Sequence, residues 1–373
     1  YQSFSTFAGN PYFIDLESLI KEGLLTKDEC DAADFGNKAD EIDYEKMYFN
    51  RFKLLRKAYE RFSPDKEYEK FIKENEEWLT DYCLYMAIKD WQGGVSWIEW
   101  EEGYRNRLPK YMKKAEEELK EEIGFYQFQQ YKFACQWKKL HDYANEKGIE
   151  IIGDIPIYVA FDSADTWANP KLFQFDEENL PTAVAGCPPD GFSATGQLWG
   201  NPLYRWDYHR STGYEWWISR LRYVFNMYDV VRIDHFRGFD EYFSIPYEAE
   251  NAIGGHWEKG PGIDLFRKVE QALGWKPVIA EDLGYVTDSV RDMVRDSGFP
   301  GMKVLEFAFD SRDSGCANDY LPHNYPVNSV AYTGTHDNET IVGWWSSITK
   351  DEQKLAREYL CDQATPDKEL YKS

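Results

Sequence analysis

Three acidic residues stand where an apolar run gives way to a loop. Asp234 closes Val230-Val231-Arg232-Ile233, Glu281 closes Pro277-Val278-Ile279-Ala280, and Asp337 follows Ser329-Val330-Ala331-Tyr332 and the turn Thr333-Gly334-Thr335-His336. Arg232 lies two residues before Asp234, so strand alternation puts both on one face. His235 and His336 sit beside the acids. Carboxylates grouped in this way suit glycosidic bond chemistry. One acid stays protonated to serve the leaving oxygen, and an ionised one attacks or stabilises the anomeric carbon. Other chemistries lack their signatures. There is no phosphate-binding Gly-x-x-x-x-Gly-Lys loop, no dinucleotide fingerprint and no Gly-x-Ser-x-Gly elbow. No His or Cys spacing fits a zinc site, so neither a metal nor an organic cofactor is expected.

Side chains at the ends of parallel strands converge where the strands alternate with helices and curl into a barrel. The pattern predicts five such strands: 149–157, 230–234, 277–281, 302–309 and 329–332, with helices at 214–226, 261–273 and 287–296 between them. The fold class is therefore α/β, a (β/α)8 barrel, with fewer strands than the eight that close one. Ahead of this lie residues 1–42, read as a barrel-edge loop region, and 43–148, read as a helical subdomain. Within that subdomain the first helix covers Leu54–Phe62 and stops at Ser63-Pro64, a second runs from Tyr68 to Met86, a third covers Pro109–Glu122, and a fourth runs from Tyr126 to Lys147 and ends at Gly148. Residues 149–373 carry the barrel units. Among them, 160–212 is rich in Asp, Asn, Pro and Gly and reads as one long functional loop.

Charge and composition narrow the partners. The chain has 66 Asp and Glu against 43 Lys and Arg, a net charge of −23, which disfavours nucleic acid and anionic membrane. No window is long and apolar enough to span a bilayer. The six scattered cysteines read as thiols of a reducing, cytoplasmic compartment. Aromatic residues make up 17% of the chain, a supply of flat faces on which sugar rings can stack.

The motifs Val231-Arg232-Ile233-Asp234-His235-Phe236-Arg237-Gly238, Ile279-Ala280-Glu281-Asp282-Leu283-Gly284 and Thr335-His336-Asp337-Asn338 resemble the catalytic signatures of the 4-α-glucanotransferases (amylomaltases or disproportionating enzymes, glycoside hydrolase family 77). The segment from Pro188-Pro189-Asp190-Gly191 to Trp199-Gly200-Asn201-Pro202-Leu203-Tyr204 is similar to that family's most distinctive stretch, and Tyr1-Gln2-Ser3-Phe4-Ser5 and Gly9-Asn10-Pro11 match as well. The resemblance implies retaining transfer of α-1,4-glucan segments between maltooligosaccharides, starch or glycogen chains, with no cofactor. It implies Asp234 as nucleophile, Glu281 as general acid and base, and Asp337 as the third acid. Substrate-binding roles fall on Arg232, His235, His336, Asn338, Asp154 and Tyr158, on Asp190, Trp199, Asn201 and Pro202 of a loop overhanging the cleft, on Tyr1 at the donor side, and on Phe307, placed on a strand, at the acceptor side. Family members carry further barrel strands on either side of the region that residues 1–373 match, and many have a Tyr where this chain has Gly191. An α-glucan hydrolase of similar design and a non-catalytic glucan-binding protein are the competing readings. The sequence leaves the oligomeric state open.

Overall fold

The computed structural model describes residues 2–369 except 39, 190–192, 285, 312–314 and 368. The described residues divide into two compact units. The first comprises 1–153, 158–229 and 243–258, the second 154–157, 230–242 and 259–373.

The first unit is dominated by helices. Helix Tyr44–Arg61 starts at Asp43, whose carboxylate accepts the Lys46 N–H at 3.0 Å, and it buries Leu54, Leu55 and Ala58. These side chains pack with Phe125 and Phe128 of helix Lys120–Glu146 and with Ile14, Leu19, Leu24 and Leu25. Each fully buried leucine contributes about 2 kcal/mol through the apolar area it removes from water. The sequence predicts one helix from Tyr68 to Met86, but the chain breaks it at Asn75 into Lys66–Glu74 and Glu76–Trp91. The Asn75 side chain donates to the Phe71 carbonyl at 2.9 Å and accepts from Trp78 Nε1 at 3.1 Å, so it competes with the helix's own bonds. A second break at Leu119 ends Pro109–Glu118 and starts the long helix at Lys120, earlier than its apolar period suggests.

Segment 160–212 is not one irregular loop. It contains helices Ala164–Ala168 and Trp206–Ser211 and two strands, β2 (Ala183–Cys187) and β3 (Gln197–Pro202). These belong to an antiparallel sheet in the order β3-β2-β5-β6, with β5 at Glu241–Pro246 and β6 at His256–Lys259. Their Gly, Ala and Pro content gives no alternation of apolar and polar residues, and β2 finds its partner β5 some sixty residues away (Val184 opposite Ile245). Sequence periodicity therefore carries no trace of them.

The second unit holds a parallel sheet in the order β1-β4-β7-β8-β9: β1 Ile152–Ile155, β4 Val230–Ile233, β7 Val278–Ala280, β8 Gly301–Val304 and β9 Ser329–Tyr332. β4 pairs with β7 (Arg232 opposite Ile279) and β8 with β9 (Met302 opposite Val330). All three residues of β7 are buried, as expected for a strand covered on both faces. The fourth predicted strand is shorter than its apolar run, because Leu305–Phe309 turns into a 3₁₀ helix; Phe307 therefore lies in that helix and not on a strand. The sheet is strongly curved. His336, after β9 at one edge, reaches within 4.0 Å of Asp154 in β1 at the other. Five flat strands would hold those edges about 19 Å apart, four spacings of roughly 4.8 Å. The fold is of the TIM-barrel type with helical insertions.

Candidate active site

Arg232 joins two of the acids. It projects from β4 on the face opposite Val231 and Ile233, which are fully buried. Its Nη1 donates to Asp154 Oδ1 at 2.6 Å and to Asp234 Oδ1 at 3.0 Å, and its Nε donates to Met302 Sδ at 3.2 Å. With the residue only 7% exposed, these bonds fix its guanidinium beneath the carboxylates. Burial works against its charge, but the bond to Asp154 and the charges of Asp154, Asp234 and Glu281 hold its pKa above that of an ordinary arginine.

Glu281 is seated differently. Its Oε2 accepts the His235 N–H at 2.7 Å and its Oε1 the Leu283 N–H at 2.8 Å. The carboxyl is thus tied to the residue that follows Asp234 and to its own loop. Its backbone is fixed too: Glu281 N donates to the Ile233 carbonyl and Phe236 N to the Glu281 carbonyl. Glu281 is 9% exposed, and burial followed by the nearby Asp234 charge pushes its pKa up to about 7. Sequence position points to Asp234 as the cause; in the structure burial is the larger effect. Asp234 is also shifted upward by burial, with Arg232 opposing and Asp154 and Asp337 adding to the rise. The two carboxyls are therefore differentiated: Asp234 is bonded to the guanidinium at 3.0 Å, while Glu281, among the described residues, is bonded to backbone amides and feels the Arg232 charge less than burial, Asp234 or those amides.

His235 holds a left-handed backbone (φ 51°), uncommon for a residue with a side chain, and its N–H bond to Glu281 helps fix it there. Burial, with Arg237 adding, drives its imidazole pKa down to about 3, so the ring is neutral at physiological pH. After β9, Asn338 Oδ1 accepts from both the Thr335 N–H and hydroxyl at 2.9 Å, and Thr335 Oγ1 accepts the Asp337 N–H at 3.3 Å. This tight turn presents His336 and Asp337, 3.5 Å apart and both more than half exposed.

The second unit thus brings together Asp154, Arg232, Asp234, His235, Glu281, His336, Asp337 and Asn338. Phe307 is half-buried in the same unit, edge-on to Tyr320 with centroids 5.3 Å apart. In the first unit, Tyr158 is buried and stacks on Tyr204 at 6.1 Å, with Trp199 6.2 Å away at a tilt. Asn201 Nδ2 donates to the Val159 carbonyl at 2.8 Å, and Pro202 is buried in β3 opposite Val184. Trp199, Asn201 and Pro202 are therefore strand residues and not part of a free loop. Tyr1 and Asp190 lie outside the described residues. Sequence reasoning missed Met302 and Tyr320. Met302 faces Arg232 by strand alternation and could have been found; Tyr320, which takes the Gly284 amide and stands near Glu281, has no sequence signal. In the adjacent pairs Trp216-Trp217 and Trp344-Trp345, Trp217 and Trp345 are buried, and Trp216 and Trp344 are partly exposed. Both His141, 2.9 Å from Asp229, and the buried His209 serve the packing of the first unit.

A parallel α/β sheet with acids and an arginine at its C-terminal ends defines a carbohydrate-active enzyme of the barrel type. The 4-alpha-glucanotransferase family model of glycoside hydrolase family 77 matches residues 1–372. A 4-alpha-glucanotransferase of Clostridium butyricum is 48% identical over 363 residues, covering 96% of this chain and 74% of the relative. One from Thermus thermophilus is 45% identical over 370 residues, covering 97% and 72%. Among solved structures, amylomaltase from Streptococcus agalactiae in complex with acarbose superposes with a TM-score of 0.94 at 40% identity, covering 98% of this chain and 74% of that one. The chain belongs to the 4-α-glucanotransferase family. It is an enzyme of that type, moving segments of α-1,4-glucans from one chain to another.

Proposed function

We propose that the transfer is retaining and runs through a covalent glucosyl ester on Asp234. Asp234, held by Arg232, attacks the anomeric carbon as Glu281 gives its proton to the glycosidic oxygen. The reducing fragment leaves, an acceptor 4-hydroxyl enters, and Glu281, now ionised, removes its proton while the ester bond to Asp234 breaks. Asp337, exposed beside His336, grips hydroxyls of the ring being distorted, and neutral His235 can both donate to and accept from them. The observation that carries this reading is the unequal environment of two neighbouring acids. Glu281, with a pKa raised to about 7, keeps a proton to give, while Asp234 has the guanidinium at 3.0 Å. Phe307 with Tyr320 offers an acceptor-side surface. Action in the cytoplasm is supported by six cysteines that are all thiols. No described helix is long and apolar enough to cross a membrane.

The test is product analysis on maltotriose with the wild type, Asp234→Asn and Glu281→Gln. Wild type should yield glucose and a ladder of longer chains with little gain in reducing ends, and each variant should lose this by a factor of at least a thousand. Release of reducing ends in step with every cleavage would favour the hydrolase reading instead.

A further inference from the structure

Of the two buried acids the mechanism leaves unused among the described residues, Asp165 accepts from Thr6 N and Thr6 Oγ1 at 2.8 and 3.1 Å, whereas Glu306 is not held in this way. Glu306 opens the 3₁₀ helix after β8, is 7% exposed, and its Oε1 has no hydrogen-bond partner among the described residues. Its backbone N–H donates to the Thr333 carbonyl at 3.1 Å, the first link of the turn that presents His336 and Asp337. Its carboxyl lies flat against the next residue of that turn. A methyl group at Gly334 would stand 3.0–3.1 Å from Oε1, Cδ and Oε2 of Glu306, so Gly334 leaves the room the carboxyl occupies.

We propose that Glu306 is a positioning residue for the third acid, its neutral carboxyl packing under Gly334 and holding the Thr333–Asn338 turn in its working place. This rests on the assignment of Asp337 to the reaction. An ionised carboxylate with one buried, unpartnered oxygen is costlier in such a site than the neutral acid. Burial, with Glu339 adding, raises the Glu306 pKa above the usual glutamate value. Glu339 is the charge set against it; His336 and Asp337 on the turn face each other at 3.5 Å, and Lys303 on β8 lies over the Tyr320 ring. Deprotonation then drives the carboxylate toward water, away from Gly334, and the turn loosens.

Two variants and two readouts test this. In the wild type, ionisation of Glu281 and of Glu306 both lower activity, so log kcat/KM should fall with a slope steeper than −1 at alkaline pH. Glu306→Gln, neutral at every pH, should keep kcat near the wild-type maximum and restore a slope of −1. Glu306→Ala should lower kcat about tenfold or more at all pH values while thermal unfolding confirms the fold. Hydrogen exchange of the 333–338 segment gives a second readout that needs no catalytic assignment. After correction for intrinsic rates, protection in the wild type should fall as pH rises, stay constant in Glu306→Gln, and be about tenfold lower in Glu306→Ala. Wild-type slope and protection in both variants would overturn the proposal, and so would Gln behaving like Ala, since the ionised acid would then be the working form. Full transfer by Asp337→Asn, with the exchange pattern unchanged in the wild type and the Glu306 variants, would refute the assignment of Asp337 and leave the role of Glu306 in holding the turn standing.

Discussion

Glu281 should cost this protein stability at the pH where it works. Its carboxyl moves from an ordinary value of 4.5 to about 7 on folding, chiefly through burial. Below pH 4.5 it is protonated in both the folded and unfolded chains and contributes nothing to pH dependence. Between 4.5 and 7 the unfolded chain releases the proton and the folded one retains it, so the folded state loses stability as pH rises. That rise in pKa corresponds to roughly 3 kcal/mol, complete near pH 8. Glu281→Gln removes this titration. It also introduces a constant penalty, because both carboxyl oxygens now accept backbone N–H groups and an amide NH₂ cannot replace one of them. That lost acceptor costs about 1–3 kcal/mol at every pH. The absolute stability of the variant is therefore a poor test, and the difference between the two curves is a good one. Urea unfolding of both proteins from pH 4.5 to 8.5 should give curves that diverge by roughly 3 kcal/mol in favour of the variant as pH rises. Parallel curves would refute the raised pKa and with it the inference that Glu281 is poised as an acid.

The same shift predicts that kcat/KM on maltooligosaccharides falls above pH about 7, as the acid form of Glu281 is lost; a rate flat to pH 9 would contradict it. Arg232→Met should remove the cation shared by Asp154 and Asp234, lower transfer at least a hundredfold, and move the acid limb of the pH profile upward, which a pH series of initial rates would detect. Gly153→Ala should destabilise the first unit by roughly 1–3 kcal/mol, since the new methyl would overlap the Tyr228 ring; thermal unfolding checks this.

What the sequence makes legible is the machinery built from strand ends. Val231 and Ile233 alternate with Arg232 and Asp234, and β4 is a buried strand that keeps this alternation. Glu281 follows three apolar residues and closes β7. Periodicity fails where local and tertiary signals diverge. The Met302–Phe309 run is largely apolar, but its second half winds into a 3₁₀ helix that buries Ala308 and Phe309 against Leu321 and Trp345. Strand β2 is held by β5, distant in sequence, and the edge strand β3 pairs only with β2 among the described residues, so no local pattern marks them. The Asn75 break turns on one side chain that bonds to a carbonyl and an indole at once. Glu306 gives no signal of its own, because its burial depends on Gly334 of the next strand's turn.

The covalent scheme requires Asp234 to carry the sugar between donor and acceptor. Glu281→Gln should still be glucosylated by an α-glucosyl fluoride, whose leaving group needs no acid, and should then stall for want of a base. Mass spectrometry of the digested variant should find one hexose on the peptide containing Asp234, absent from the double variant that also carries Asp234→Asn. A hexose on any other residue, or a product of inverted configuration by NMR, would show that Asp234 is not the nucleophile.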